Sequence, residues 1–194
     1  MHRADKAIEE LKDGNRRFLE KHMENIEITV DNTKKLYNKP QKPMAVVLAC
    51  SDSRVPPEIV FDQGPGSLFV IRNAGNVIDK HVLGSIEYAI KYLDTPLIFV
   101  LGHNMCGAIN ATVERKSLSS NIDCIVNNIL KNIDIKKIDF NDKEKASKIL
   151  EDENIKRGIV EIRENDIVKT LELEGRVKVR GGKYCLDTGR VKFF

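Results

Sequence analysis

Residues 44–54 have the sequence MAVVLACSDSR, in which an apolar run leads directly into a thiol, a carboxylate and a guanidinium on alternate residues. The run is rich in β-branched and aliphatic side chains and is bounded upstream by Pro40 and Pro43. Such a run is typical of a buried parallel strand. We therefore predict that Cys50 lies at the carboxyl end of this strand, where open α/β sheets bind their ligands.

A second apolar run, residues 97–101, leads into Gly-His-Asn-Met-Cys at residues 102–106. It brings an imidazole and a thiol to the end of another predicted strand. Zinc prefers such ligands, and a catalytic zinc keeps three protein ligands and one open position. Cys50, His103 and Cys106 meet that count, in a spacing that is not that of a zinc finger. The alternative is that both cysteines are buried core residues and the histidine is hydrogen-bonded.

Strand and helix patterns alternate along the chain. Residues 68–71 are predicted to form another strand, and Asp79 could cap a helix between it and the strand at 97–101. Strand, helix and strand in this order predict a right-handed parallel crossover, so the expected fold class is α/β. The other expectations are a helix from about Ala4 to Lys21, mostly irregular structure over 22–43, a short helix after Pro56-Pro57, a helix from Cys106 to about Glu114, helical patches over 115–150, a helical segment from Asn154 to Leu173 and two short strands between Val177 and Phe193.

Composition excludes few function classes. The 194 residues are enough for one compact domain, and 32 basic against 29 acidic residues give a net charge of only +3, which is weak support for nucleic-acid binding. No signal-peptide core and no apolar run of membrane-spanning length is present, so a cytoplasmic protein with no membrane partner is expected. Four cysteines are too few for a disulfide scaffold. Cys124 and Cys185 are expected to be small buried hydrophobic residues.

Five motifs carry a family resemblance: GNRRF at 14–18, CSDSRVP at 50–56, FVIRNAGN at 69–76, Gly102-His103 with Cys106-Gly107, and YCLDTG at 184–189. Through them the chain resembles the β-class carbonic anhydrases. The resemblance covers nearly the whole chain and is weakest over residues 115–150. It implies a single β-carbonic anhydrase-like domain over residues 1–194 with an N-terminal helical arm, a mostly parallel β-sheet flanked by helices, and a homodimer or homotetramer.

The resemblance also implies an activity, the reversible hydration of carbon dioxide to bicarbonate and a proton. The matching Cys50, His103 and Cys106 would bind one Zn²⁺ per chain, and the matching Asp52 and Arg54 would form a catalytic dyad that orients the zinc-bound hydroxide. The well-known three-histidine carbonic anhydrases are the standard case of water acidified by zinc. Two thiolates cancel the formal metal charge, so here we expect activity that rises with pH into the alkaline range.

Four further residues match substrate-pocket positions of the family. Gln41 would offer its amide to the substrate, while Phe69, Ala74 and Tyr88 would line an apolar pocket. Some of these side chains are expected to come from the partner subunit. Each of the four could equally serve core packing.

One branch of the family closes its site through an extra bicarbonate site, which uses a tryptophan three residues before the first cysteine ligand and a glycine immediately before it. Here those positions are Val47 and Ala49, and the chain contains no tryptophan. We therefore expect the plant-like, non-allosteric branch. Arg72 matches one arginine of the regulatory site, which alone should not close it.

Two other functions are compatible with the same residues. The first is a hydrolase of carbon disulfide or carbonyl sulfide that uses the same zinc site. The second is a non-catalytic binding module with a structural zinc, in which alternating basic residues contact an anion or nucleic acid. These basic residues are Arg176, Lys178, Arg180, Lys183, Arg190 and Lys192.

Overall fold

The computed structural model describes residues 2–25, 29–114 and 119–194. In chain order its elements are α1 (Arg3–Glu20), α2 (Val30–Tyr37), β1 (Ala45–Cys50), α3 (Pro57–Val60), β2 (Leu68–Asn73), α4 (Lys80–Tyr92), β3 (Leu97–His103), α5 (Gly107–Glu114), α6 (Ser120–Leu130), α7 (Lys143–Glu164), α8 (Asp166–Leu173), β4 (Lys178–Tyr184) and β5 (Val191–Phe193). Short 3-10 helices span Ala74–Asn76 and Ile135–Lys137. Within the described ranges, no helix combines the length and apolar character needed to cross a membrane.

The strands form one sheet in the order β2-β1-β3-β4-β5. All neighbouring pairs are parallel except β4 and β5, which are antiparallel. The predicted α/β class with a mostly parallel sheet is therefore confirmed. Because β1 and β3 are parallel neighbours, their last residues, Cys50 and His103, lie at the same edge.

Helices cover both faces of the sheet, as buried parallel strands require. Side chains alternate along β1: Val46 and Leu48 face a core layer shared with α4, α7 and α8. Ala45, Val47 and Ala49 face the layer that includes Leu11 of α1. A third cluster lies between α5, α6 and the start of α7 and contains Cys50 and Cys106, so the ligand edge is itself packed against helices.

Helix α7 packs unusually close to the end of β3. A Cβ atom on Gly102 would lie 2.5 Å from Cγ1 of Ile155, which leaves no room for any side chain other than hydrogen at this position. The glycine next to the proposed ligand His103 therefore lets α7 approach the sheet directly beside the candidate site.

Several predicted elements are confirmed, among them α1, α5 and the β4–β5 pair. Asp79 caps α4 as predicted, because its Oδ1 accepts a hydrogen bond from the N–H of Val82 at 2.8 Å. The helical patches expected over 115–150 include α6, whereas residues 115–118 lie outside the described residues.

Two expectations about helices hold only in part. Residues 22–43 are mostly irregular as expected, but they include one helix that was not predicted, α2 at Val30–Tyr37, and residues 26–28 lie outside the described residues. Its apolar side chains Val30 and Tyr37 are exposed, so no buried stripe marks this helix in the sequence. The segment from Asn154 to Leu173 is helical as expected, but it is divided between α7 and α8, because Asn165 ends one helix and caps the next. Both helices bury apolar residues in the same layer, and the apolar pattern therefore continues across the break.

The expectation that Cys124 and Cys185 are buried hydrophobic residues is wrong. Cys124 is exposed on α6, and Cys185 is only partly buried just after β4. A cysteine with apolar neighbours in a helix can still lie on the exposed face. The apolar pattern of α6 was not sufficient to predict which face carries Cys124. Neither cysteine contributes to the core.

Candidate metal centre

Cys50, His103 and Cys106 converge at the carboxyl edge of the sheet. Their ligand atoms all lie within 4.8 Å of one another, and the two Sγ atoms are 3.9 Å apart. All three residues are buried. Adjacent parallel strands bring Cys50 and His103 together, and the turn before α5 returns Cys106 to the same point.

The donor set fits a zinc ion. Zn–S bonds of about 2.3 Å at a tetrahedral angle place two sulfurs about 3.8 Å apart, close to the observed separation. Nδ1 of His103 lies 2.8 Å from the carbonyl oxygen of Asn104, and since that oxygen can only accept, Nδ1 carries the hydrogen. Nε2 of His103 is buried and has no hydrogen-bond partner among the residues that the structure describes. This nitrogen therefore has a free lone pair within the cluster, which is the usual arrangement of a metal-binding histidine.

The protonation of the two thiols also favours a dication. The hydrogen bond between Cys106 and Cys50 lowers the pKa of Cys50, with help from His103 and the N–H groups of Gly75 and Asp52 and against the effect of burial. The same contact with Cys50, together with burial, raises the pKa of Cys106. The two sulfurs thus share one proton. Both can ionise together only when a positive charge replaces that proton.

Asp52 and Arg54 form a two-pronged ion pair beside this cluster. Arg54 donates from Nε to Oδ1 at 2.9 Å and from a terminal nitrogen to Oδ2 at 2.8 Å, and its backbone N–H donates to Oδ1 at 3.0 Å. The Asp52 side chain is 17% exposed and that of Arg54 is 56% exposed. Hydrogen bonding to Arg54 holds the pKa of Asp52 well below its usual range, although burial opposes the shift.

Comparisons with known proteins identify the family. A model of the carbonic anhydrase family matches residues 45–191. The chain is 52% identical over 107 residues to carbonic anhydrase 2 of Mycobacterium tuberculosis, an alignment that covers 55% of this chain and 51% of that protein. Among solved structures, it is similar to a tetrameric β-carbonic anhydrase of Sordaria macrospora, with a TM-score of 0.75, 25% identity and coverage of 84% and 85% of the two chains.

The chain belongs to the β-class carbonic anhydrase family. A Coccomyxa β-carbonic anhydrase, solved in complex with acetazolamide, shares the fold, with a TM-score of 0.77, 24% identity and coverage of 85% of this chain and 78% of that one. In the sequence alignments, the chain spans about half the length of the first curated carbonic anhydrases that it matches.

The pocket residues expected of a β-class carbonic anhydrase are not all brought together within one chain. Ala74 directly follows Asn73, the β2 residue in register with Cys50, and so lies at the ligand edge. Phe69 is in register with Val46, about 13 Å along the strands from Cys50 at 3.3 Å per residue. Tyr88 is on α4 with its ring centroid 6.2 Å from that of Phe69.

Gln41 is exposed and precedes β1. It therefore lies near the amino end of the strand whose carboxyl end carries Cys50. The length of β1, about 17 Å between its first and last residues, separates the two positions. Gln41 therefore does not reach the Cys50 cluster of its own chain, and one chain alone does not bring all the expected pocket residues together.

Arg72 has a role that the sequence comparison with carbonic anhydrases did not indicate. Its Nε donates to the carbonyl oxygen of Cys50 at 2.9 Å, and a terminal nitrogen donates to the carbonyl oxygen of Asp52 at 2.7 Å. The arginine matched to a regulatory site thus ties β2 to the loop that carries the first ligand and the dyad aspartate.

Two residues of α7 were missed entirely. Glu151 accepts a hydrogen bond from the N–H of Met105 at 2.9 Å, and Asn154 donates to the carbonyl oxygen of Gly75 at 2.9 Å. Burial raises the pKa of Glu151, against the effects of the Met105 N–H and of Lys183. In the sequence, the only indication is that polar residues recur every three positions in a helical segment that is otherwise expected to be buried. The neighbouring residues do not show which loops these polar side chains contact.

Three of the six basic residues of the alternative binding module have acidic partners nearby. Nζ of Lys178 lies 2.6 Å from Oδ1 of Asp5, and Nζ of Lys183 lies 2.6 Å from Oδ1 of Asp152. Arg176 is also paired, with Glu174 and Asp94. These pairs compensate the charge that an anionic partner would need to contact.

Proposed function

We propose that this chain catalyses the reversible hydration of carbon dioxide to bicarbonate and a proton, with one Zn²⁺ held by Cys50, His103 and Cys106. The observation that carries the proposal is the buried cluster of two sulfurs and an unpartnered imidazole nitrogen, with a carboxylate–guanidinium pair beside it. Membership of the carbonic anhydrase family supports the same activity. Bound zinc would supply the Lewis acidity that makes hydroxide available far below the pKa of free water.

Asp52 and Arg54 would act as the catalytic dyad. Because Arg54 keeps the carboxylate ionised, Asp52 can only accept hydrogen bonds. It would accept the O–H of the attacking hydroxide, so that a lone pair of that oxygen faces the carbon of carbon dioxide. Arg54 donates a hydrogen bond to each oxygen of the Asp52 carboxylate, and these two bonds would keep Asp52 from binding the metal itself. Bicarbonate would then leave, a new water molecule would take its place, and the loss of one proton from that water to solvent would restore the hydroxide.

We propose that the substrate pocket is completed by a second copy of the chain. Gln41 lies near the opposite end of β1 from its own Cys50, which supports a role in the site of a partner subunit. Tyr88 is 46% exposed and contacts both Phe69 and the exposed Tyr92, an aromatic surface suited to such a contact. The related Sordaria macrospora enzyme is tetrameric, which supports a homodimer or homotetramer here.

We further propose that the enzyme is of the non-allosteric branch and acts in the cytoplasm. Val47 has no indole N–H to hold a second bicarbonate, and the Asp52–Arg54 pairing is the open arrangement. A reducing compartment suits the site, because its two thiols must remain unoxidised to bind metal.

The test is stopped-flow carbon dioxide hydration with zinc content measured on the same sample, repeated with carbon disulfide as substrate. We expect hydration in proportion to zinc. Turnover of carbon disulfide without hydration would transfer the site to the alternative hydrolase. No turnover of either substrate by zinc-loaded protein would leave a structural zinc site and contradict the proposal.

A further inference from the structure

Helix α7 places three buried polar residues on the side that faces the candidate metal centre. Glu151, Asn154 and Arg157 are only 5%, 2% and 7% exposed, and their spacing of three residues puts them on one side of the helix. Buried polar groups are costly unless they are hydrogen-bonded. Their partners therefore show what this side of the helix holds in place.

Asn154 holds the residue that contacts the first sulfur. Its Nδ2 donates to the carbonyl oxygen of Gly75 at 2.9 Å, and the N–H of Gly75 donates to Sγ of Cys50 at 3.4 Å. Gly75 has a φ of 73°, and an added Cβ would lie 2.9 Å from Cβ of Ala108. Gly75 therefore has a left-handed backbone and packs tightly against α5. The hydrogen bond from Asn154 to its carbonyl oxygen fixes the orientation of the residue whose N–H group contacts Cys50.

Glu151 holds the turn that joins the other two ligands. Its Oε1 accepts the N–H of Met105 at 2.9 Å, and Met105 lies between His103 and Cys106 with a φ of 56°. A residue with a side chain pays roughly 1 kcal/mol or more for this left-handed conformation, so the turn needs a partner to hold it. Lys183 lies 3.4 Å from Oε2 of Glu151 and balances its charge.

We propose that α7 positions both metal-binding loops: Asn154 orients Gly75 toward the Cys50 sulfur, and Glu151 fixes the Met105 turn between His103 and Cys106. Both are positioning residues, because they reach the ligands only through the backbone of neighbouring residues. This inference rests on the proposed zinc site. N–H groups directed at a ligand sulfur fix its geometry and tune its basicity, so loss of the α7 contacts should loosen the metal.

A matched pair of variants separates this role from general stability. Asn154 and Asn128 each donate Nδ2 to a backbone carbonyl oxygen and each accept a hydrogen bond from Arg157 through Oδ1. Asn128 contacts Ile78 instead of Gly75. Asn154→Asp and Asn128→Asp both keep the side-chain shape and the Arg157 contact, add one negative charge and lose the donated bond. Only the first affects Gly75.

A second pair tests Glu151. Glu151→Gln keeps an oxygen that can accept the Met105 N–H, whereas Glu151→Leu removes it. Each purified protein is loaded with zinc, and release to a chromogenic chelator is timed. Each is also loaded with Co²⁺, whose thiolate charge-transfer band in the near ultraviolet reports on the sulfur ligands directly.

We expect zinc release to be faster by about 10–100-fold in Asn154→Asp and Glu151→Leu. Asn128→Asp and Glu151→Gln should stay within about threefold of the unmodified protein, since neither loses the contact to a ligand loop. The charge-transfer band should shift in Asn154→Asp and not in Asn128→Asp.

Release from Asn154→Asp that matches Asn128→Asp, with the same Co²⁺ spectrum, would overturn the proposal for Asn154, and equal release from the two Glu151 variants would overturn it for Glu151. If Glu151→Leu does not fold, the isosteric asparagine pair still decides the inference for Asn154, and Glu151→Met, which also removes the acceptor oxygen, replaces Glu151→Leu in the test of Glu151. If the unmodified protein binds neither zinc nor Co²⁺ at one ion per chain, it is the proposed metal site that fails.

Discussion

Replacing the dyad aspartate should separate catalysis from stability more sharply than any other single change. Asp52→Asn keeps the size of the side chain but removes its charge, so that the amide can accept only one of the bonds that Arg54 donates at 2.8 and 2.9 Å. The variant amide no longer offers an ionised acceptor to the attacking hydroxide. Zinc should remain bound, because the Cys50, His103 and Cys106 cluster is untouched.

The loss of stability and the loss of turnover expected for Asp52→Asn differ in size. More than half of the Arg54 side chain is exposed, and ion pairs of this kind contribute about 0–1 kcal/mol to stability, so unfolding should change by no more than that. Asp52 orients the hydroxide by accepting a hydrogen bond, and removing one such hydrogen-bonding partner of a transition state typically lowers the rate by about 10²–10³-fold, or roughly 3–4 kcal/mol of activation free energy. The expected loss of turnover is therefore several times larger, in free energy, than the loss of stability.

The assay is stopped-flow hydration, with zinc content and urea unfolding measured on the same preparations. Asp94→Asn is the control, because Asp94 also pairs with an arginine, Arg3 at 2.6 Å, but lies at the far end of the sheet from the ligands. It should keep full turnover. Turnover of Asp52→Asn within about twofold of the unmodified protein, with full zinc, would show that the pair is an ordinary salt bridge with no part in catalysis.

Three further predictions follow from the same structure. Cys106→Ser should lose most of its zinc by elemental analysis, and full occupancy would remove Cys106 from the ligand set. Asp62→Asn should destabilise the protein by about 1–3 kcal/mol at pH 7, because it removes the charge of a fully buried carboxylate that accepts a hydrogen bond from Arg17, while Glu10 still pairs with Arg17. Burial raises the pKa of Asp62, but its hydrogen bonds and the charge of Arg17 together lower it by more, so the folded protein has the lower pKa. The stabilisation by ionised Asp62 is therefore complete above about pH 4 and is lost as the pH falls through the pKa of the folded state. Urea unfolding should show that the stability difference between Asp62→Asn and the unmodified protein shrinks in that pH range, and a difference that does not change with pH would contradict this. The hydration rate should rise with pH into the alkaline range through a simple titration, and added bicarbonate should not produce steep, cooperative inhibition.

The sequence predicted those parts of the site that depend on local pattern. Apolar runs that end in Cys50 and His103 mark two strand ends, and parallel pairing then brings those ends to one edge. The Asp52–Arg54 pair was predictable because the two residues are only two positions apart. In each case the decisive information lies within a few residues.

The rest depends on contacts between distant segments. The bond from Asn154 to Gly75 joins residues 79 positions apart, and that from Met105 to Glu151 spans 46 positions. No periodicity encodes such partners. Helix α2 was missed for a related reason: it buries no apolar stripe, so the pattern that identifies helices is absent from it.

The most direct test of the account is a zinc titration of metal-stripped protein, followed by the rate of carbon dioxide hydration. The rate should be negligible without zinc, rise in proportion to added zinc and reach a plateau at one ion per chain, while Cys106→Ser should show no such rise. A hydration rate that does not depend on zinc, or zinc bound at one ion per chain without hydration, would contradict it.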